Sequence, residues 1–282
     1  MDPWEARLSL RFSSPRQGVT MLTHRESYGP LTLQKILHPE GPEIAHAFVL
    51  HPPSGIAGGD QLQLSVGIAS GAHALLTTPG ATRWYKANGR DTFQKLHLEV
   101  ADHGCLEWLP SENLFFDESQ AQMYSCVSLS RDARFIGWEV MQFGQRQSLK
   151  SVDHHWRASG VRAEQSISIG GTLDWQESAR YTDQIVLDRP TIQGTAGYPV
   201  VGTLWAYGPD TLPESAREDW VQKLTFSENL RVGCTQLPSG LIVCRVLAQE
   251  TDVAREAMIQ AWAWLRPRVI GRQAEPLRIW AT

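Results

Sequence analysis

The stretch His51–Tyr85, HPPSGIAGGDQLQLSVGIASGAHALLTTPGATRWY, decides how the chain is read. His51-Pro52-Pro53-Ser54-Gly55 cannot lie inside a helix, because two prolines fix φ and remove two backbone donors. Gly58-Gly59-Asp60 supplies backbone that tolerates positive φ and leaves a carboxylate on a turn. Leu62, Leu64, Val66 and Ile68 then alternate with polar or small residues, the period of a strand buried on one face. Ser70-Gly71 turns the chain, and Ala74-Leu75-Leu76-Thr77-Thr78 reads as the return strand. Pro79-Gly80 closes the unit, and Arg83-Trp84-Tyr85-Lys86 sets aromatics beside cations in what reads as an exposed loop.

Outward from this stretch the same unit recurs. FQKLHLEV, a turn at Ala101–Gly104 and CLEWLP form a second copy. MYSCVSLS, a turn at Arg131–Ala133 and RFIGWEVM form a third. EQSISI, Gly170-Gly171 and TLDWQ form a weaker fourth. The turns fall near 71, 104, 132 and 170, and Trp108, Trp138 and Trp175 sit on the second strand of their units. A strand–turn–strand repeat of roughly 30 to 40 residues fits either stacked β-layers, as in a β-solenoid, or a run of antiparallel hairpins.

Trp4–Phe12, Leu31–Leu37 and Ala45–Leu50 are strand-like before the repeat; Val200–Ala206 is strand-like after it. Pro213–Leu224 begins with proline and acids, as a helix N-terminus prefers. Leu230–Leu247 reads as a hairpin around Pro238-Ser239-Gly240. Thr251 can cap a helix whose apolar face is Ala254, Ala257, Met258, Ala261, Trp262 and Leu265, with Pro267 ending it. The expected fold is mainly β (α+β), a layered β-solenoid or sandwich-like body. One domain spans 1–282, with the β body at about 4–206 and helices at about 213–224 and 251–266.

Composition narrows the function. Net charge is −4 and pI near 6.1, which disfavours nucleic acid as a partner. There is no signal-peptide pattern and no apolar run near the roughly 20 residues that span a bilayer, so no membrane role is expected. The four cysteines are scattered without a C-x-x-C, as in a cytoplasmic protein with buried thiols. Walker A, G-x-G-x-x-G, G-x-S-x-G and H-E-x-x-H motifs are all missing. His154-His155 is the one adjacent histidine pair, and on a strand its side chains point to opposite faces.

What remains is a scatter of acids: Asp60, Glu107, Glu112, Asp117, Glu139 and Asp183. Glu107 shares a strand face with Cys105 and Leu109, and Glu139 sits beside Trp138 in an otherwise apolar run. Such a carboxylate is costly if buried alone. It either faces out, joins a structural ion pair or lines a polar interior.

Together HPPSGIAGGD, GAHALLTTPGATRWYKA, CLEWLPSENLFF, RFIGWEVMQFGQR and the late PLRIW resemble the UreD (also called UreH) urease accessory proteins, from about Trp4 to Trp280. Leu149–Arg157 departs from the family pattern, and nothing is carried over there. The resemblance implies a non-enzymatic metallochaperone with no tightly bound metal or cofactor. It implies binding to apo-urease, the helical accessory protein UreF and the GTPase UreG, and nickel(II) in transit through an internal passage. Asp183 falls where the family carries an acid. Asp60, Glu107 and Asp183 are the candidate passage residues, with His51 near the mouth; isolated acids suit transit better than a closed cage of ligands. Arg83, Trp84 and Tyr85 are candidate partner contacts, being interface-prone residue types. The alternative is a metal-dependent hydrolase using Asp60 and a histidine.

Overall fold

The computed structural model describes residues 3–281 apart from 54, 147–153, 189–193, 209–211 and 225–228. Glu5–Arg16 (β1) and Val19–Tyr28 (β2) form a hairpin, followed by Thr32–Leu33 (β3) and Ile44–Leu50 (β4). The chain then coils through Gly55–Ile56 (β5), Gln61–Ile68 (β6), His73–Thr77 (β7), Thr82–Trp84 (β8), Thr92–Val100 (β9), Cys105–Leu109 (β10), Asn113–Phe115 (β11), Gln120–Leu129 (β12) and Arg134–Phe143 (β13). Gln145–Arg146 (β14) pairs with His154–His155 (β15). After them come Gly160–Ile169 (β16), Thr172–Thr182 (β17), a π-helical turn at Gln184–Asp188, and Val200–Tyr207 (β18). Last are the helix Glu214–Leu224 (α1), Leu230–Gln236 (β19), Ile242–Ala248 (β20), the helix Thr251–Val269 (α2) and a short 3-10 turn at Arg278–Ala281.

Successive strands of the coil go to different sheets. One sheet has the order β2-β1-β6-β9-β12-β16-β17, with β1, β6, β9, β12 and β16 all parallel. The other runs β3-β4-β7-β10-β13-β18-β20-β19, parallel from β4 to β13 and antiparallel beyond. The short strands β5, β8 and β11 make a third side against the end of β13. Of the two layouts open to the sequence, the parallel coil is the one present.

The turns of the repeat are therefore arches between sheets. Ala72, Gly104 and Ala133 each donate to the carbonyl three residues back, and the arches bond to one another through Ala101 N to Ile68 O and Ser130 N to Val100 O. Stacking equivalent turns in this way satisfies backbone groups that isolated loops would leave to water. The expected hairpin after β6 is absent, because β7 pairs with β4 and β10. Only the fourth unit is a true hairpin. Gly170 and Gly171 both take positive φ (57° and 81°), which suits a two-residue turn joining β16 to β17.

Leu62, Leu64, Val66 and Ile68 point inward, as their alternation requires, and pack with Leu106 and Phe135 from the facing sheet. β10 and β18 are buried along their whole length. Their second face is covered by α2, which seats Ala254, Ala257, Met258, Ala261, Trp262 and Leu265 on it. That helix continues past Pro267 to Val269. The proline's unmet carbonyl partner would be that of Ala263, an exposed residue, so water can take it. Thr251 is the first helical residue rather than the cap, which is Glu250, and its hydroxyl bonds Gln142 instead. No helix among the described residues is long and apolar enough to cross a membrane.

Candidate functional site

A hollow of about 530 Å³ lies between the two main sheets. Leu64, Leu96, Met123, Trp108 and Trp205 supply apolar wall, and Glu139, Gln165 and Gln94 supply polar wall. Exposed Pro52, Pro79, Gly80 and Arg83 line it too, so it reaches the surface beside the His51–Pro52 and Thr78–Arg83 segments. Gln94 Oε1 and Trp205 Nε1 are buried and find no partner among the described residues. Polar atoms of this kind in a roomy hollow are the places where water binds.

Glu139 is the one acid of the second sheet that faces this space. Gln165 Nε2 donates to its Oε2, and no basic side chain forms an ion pair with it among the described residues. Burial raises its carboxyl pKa to about 7; Gln165 opposes this, the charge of Glu177 adds to it, and Arg245 opposes it. Arg245 is committed elsewhere, its Nη2 donating to both Glu177 oxygens at 2.8 and 2.7 Å. Behind that pair, burial pushes the Tyr181 hydroxyl up to about 12.

The sequence candidates separate in space. His51 lines the hollow and is half-buried; burial lowers its pKa, against the opposing charge of Asp60. Asp60 holds a turn. Its Oδ1 accepts from Trp4 N and its Oδ2 from Ala57 N, both at 2.8 Å. Asp183 does the same at the end of β17, accepting from Ala158 N and Gln184 N at 2.9 Å. Neither lines the hollow.

Glu107 does share a face with Cys105 and Leu109, but that face lies under α2. Its oxygens accept from His73 Nε2 (2.9 Å), Trp262 Nε1 (2.7 Å) and Arg266 Nε (3.0 Å). Arg266 also reaches Glu40 at 2.7 and 2.8 Å, and His46 bonds Glu40 at 2.8 Å. Burial pushes the Glu107 carboxyl up, but His73 and Arg266 more than offset it and the net shift is down. In the same way His46 and Arg266 overcome burial at Glu40 and hold it at about 2. This buried cluster ties the helix to the sheet. Arg266 falls on the apolar face of α2, four residues after Trp262, which could have hinted at it, but neither carboxylate partner is near it in sequence.

The Arg83-Trp84-Tyr85 loop requires a correction. Arg83 and Trp84 belong to strand β8, with Tyr85 just after it, and alternation sends Trp84 inward, where it is 1% exposed. Its ring stacks on Phe115 at 5.4 Å and its Nε1 donates to Asn113 Oδ1 at 3.0 Å. Arg83 and Tyr85 remain on the surface, with Tyr85 44% exposed and stacked on Phe116. Glu112 pairs with Arg255 at 3.6 Å, and Asp117 accepts from Arg157 N. The side chains of His154 and His155, and most of Leu149–Arg157, fall outside the described residues.

Among the described residues no three His, Cys, Asp or Glu side chains gather as metal ligands. Both oxygens of Asp60, the acid a hydrolase would need, are taken by backbone amides. Fold and site together define a coiled β-scaffold with a mostly apolar hollow that holds a few polar groups, and a helix clamped on its back. The chain belongs to the UreD family of urease accessory proteins: the family model "UreD urease accessory protein" matches residues 5–281. Urease accessory protein UreD of Bordetella pertussis is 40% identical over 100% of this chain and 99% of its own length. Its namesakes in Delftia acidovorans (40%) and Cupriavidus metallidurans (39%) each match over 99% of this chain and 95% of theirs.

Proposed function

We propose that this chain is a cytoplasmic metallochaperone scaffold in urease maturation, bridging apo-urease and the UreF–UreG complex. Nickel(II), its cargo, passes through the hollow during GTP-dependent insertion, and the chain itself transforms no molecule. The observation that carries this reading is the hollow whose mostly apolar wall holds two carboxylates, Glu164, which pairs with Arg162, and Glu139, which has no ion-pair partner among the described residues. One carboxylate free of a basic partner, with water, suits an ion that must leave again, whereas three or four fixed ligands would retain it. On this reading His51 stands at the mouth, and Asp60, Glu107 and Asp183 act by holding the walls. Arg83 and Tyr85, beside the opening, contact a partner.

Ala163 lines the hollow and is 4% exposed, so Ala163→Phe would plug it from inside. In cells co-expressing urease and its accessory proteins, the variant is expected to capture its partners while urease nickel content falls about tenfold or more. Full nickel loading with the complex intact would refute the passage. Asp60→Ala combined with Asp183→Ala tests the walls: unchanged activation and unchanged thermal stability would remove both residues from the account.

A further inference from the structure

Cys234 and Cys244 are directly opposed in the β19–β20 ladder, with Sγ atoms 2.7 Å apart and the Cys244 thiol donating to the Cys234 sulfur. Opposed residues of antiparallel strands have Cα atoms about 4.5–5.5 Å apart, inside the span a disulfide bridges without backbone movement. β19 is the outer strand of its sheet, and Cys234 is half-buried there while Cys244 is buried. We propose that this pair is an oxidation site for peroxides, with Cys234 as the attacking thiol and Cys244 as the resolving one.

The roles follow from the surroundings. The hydrogen bond from Cys244 lowers the Cys234 pKa, partial burial opposes this, and the Arg217 guanidinium of α1 supports it. Arg217 is held in place by Leu212 O (2.6 Å) and Gln236 Oε1 (2.9 Å). Burial pushes the Cys244 thiol well up, so it waits as a thiol. The Cys234 thiolate attacks one oxygen of hydrogen peroxide; the O–O bond breaks, and the departing hydroxide takes a proton to become water. Cys244 then loses its proton and attacks the sulfenic sulfur. The S–O bond breaks and a second water leaves. Two thiols are oxidised by two electrons, and one peroxide is reduced to two waters. The new bond staples the edge strand, on which α1 packs, to the body of the sheet.

The other cysteines serve as controls: Cys126 is exposed and Cys105 is buried. Trypsin cuts after Arg231 and Arg245, so both members of the pair fall in one peptide, 232–245. The native full chain is treated with hydrogen peroxide, unfolded, alkylated and digested. Peptide 232–245 is expected to lose two hydrogens and both alkylation sites, while Cys105 stays alkylatable. Cys234→Ser should leave Cys244 reduced and alkylated after the same treatment. The proposal is overturned if the wild-type peptide still takes two alkyl groups at a dose that oxidises Cys126. It is equally overturned if Cys234 gains oxygen while Cys244 remains free.

Discussion

Arg266→Met is expected to destabilise the protein sharply at neutral pH. Arg266 is fully buried and reaches two carboxylates, Glu107 (0% exposed) and Glu40 (10% exposed). Methionine fills much of the space but takes the guanidinium from both acids, leaving Glu40 with His46 and Glu107 with His73 and Trp262. Removing one partner of a buried pair costs about 3–5 kcal/mol, because the remaining charge has lost its compensation. For a chain of this size that lowers Tm by about 10 °C. The loss should depend on pH. Glu40 is held at about 2 and Glu107 is shifted down from 4.5, so their pairing stabilises the fold above the unfolded value and is lost as pH falls through the folded one. In the variant the acids, without the guanidinium, take protons more readily, so the gap between wild type and variant should narrow from pH 7 toward pH 4. Glu107→Gln in the Arg266→Met background should recover part of the loss. Scanning calorimetry of the full chain at pH 7 and pH 5 measures both effects. A Tm within about 2 °C of wild type at pH 7, or a pH-independent gap, would refute the assignment of this cluster as the helix anchor.

Glu139→Gln should have the opposite sign. With its pKa raised to about 7, the half-buried carboxyl costs stability above that pH, and the cost disappears below the ordinary value of 4.5. The variant should gain up to about 3 kcal/mol at pH 8 and nothing near pH 4, read by urea denaturation. Trp84→Ala should cost about 3–5 kcal/mol in the same assay, as a buried aromatic lost from the core, whereas Tyr85→Ala should leave stability nearly unchanged and weaken partner capture in pull-downs. Gly58→Ala would place a Cβ 1.7 Å from the Ala87 carbonyl oxygen, so its soluble yield should collapse relative to Ala57→Gly.

Much of the architecture could be read along the chain. Leu62, Leu64, Val66 and Ile68 announce a one-sided strand, and the arches at 69–72, 101–104 and 130–133 announce a repeat. Both signals are local, set by a two-residue period and by turn residues. Whether a unit folds back on itself or crosses to a second sheet is a matter of which strand becomes its neighbour, and both answers share one alternation pattern. The tryptophan of β8 reads as a loop residue for a related reason: three residues between turns are too few to show a period.

The carboxylates show the same division. From the sequence alone, Glu107 and Glu139 are two acids in apolar strands, with opposite-facing parity relative to their tryptophans and no further distinction. The chain's own pattern settled the β class, the repeat, the inward faces of the strands, the apolar face of α2 and, through its motif blocks, the family. Tertiary structure decided that Glu107 meets an arginine far along the chain and that Glu139 meets a hollow, because burial and partners are properties of the space between sheets. That space exists only once strands distant in sequence are brought face to face.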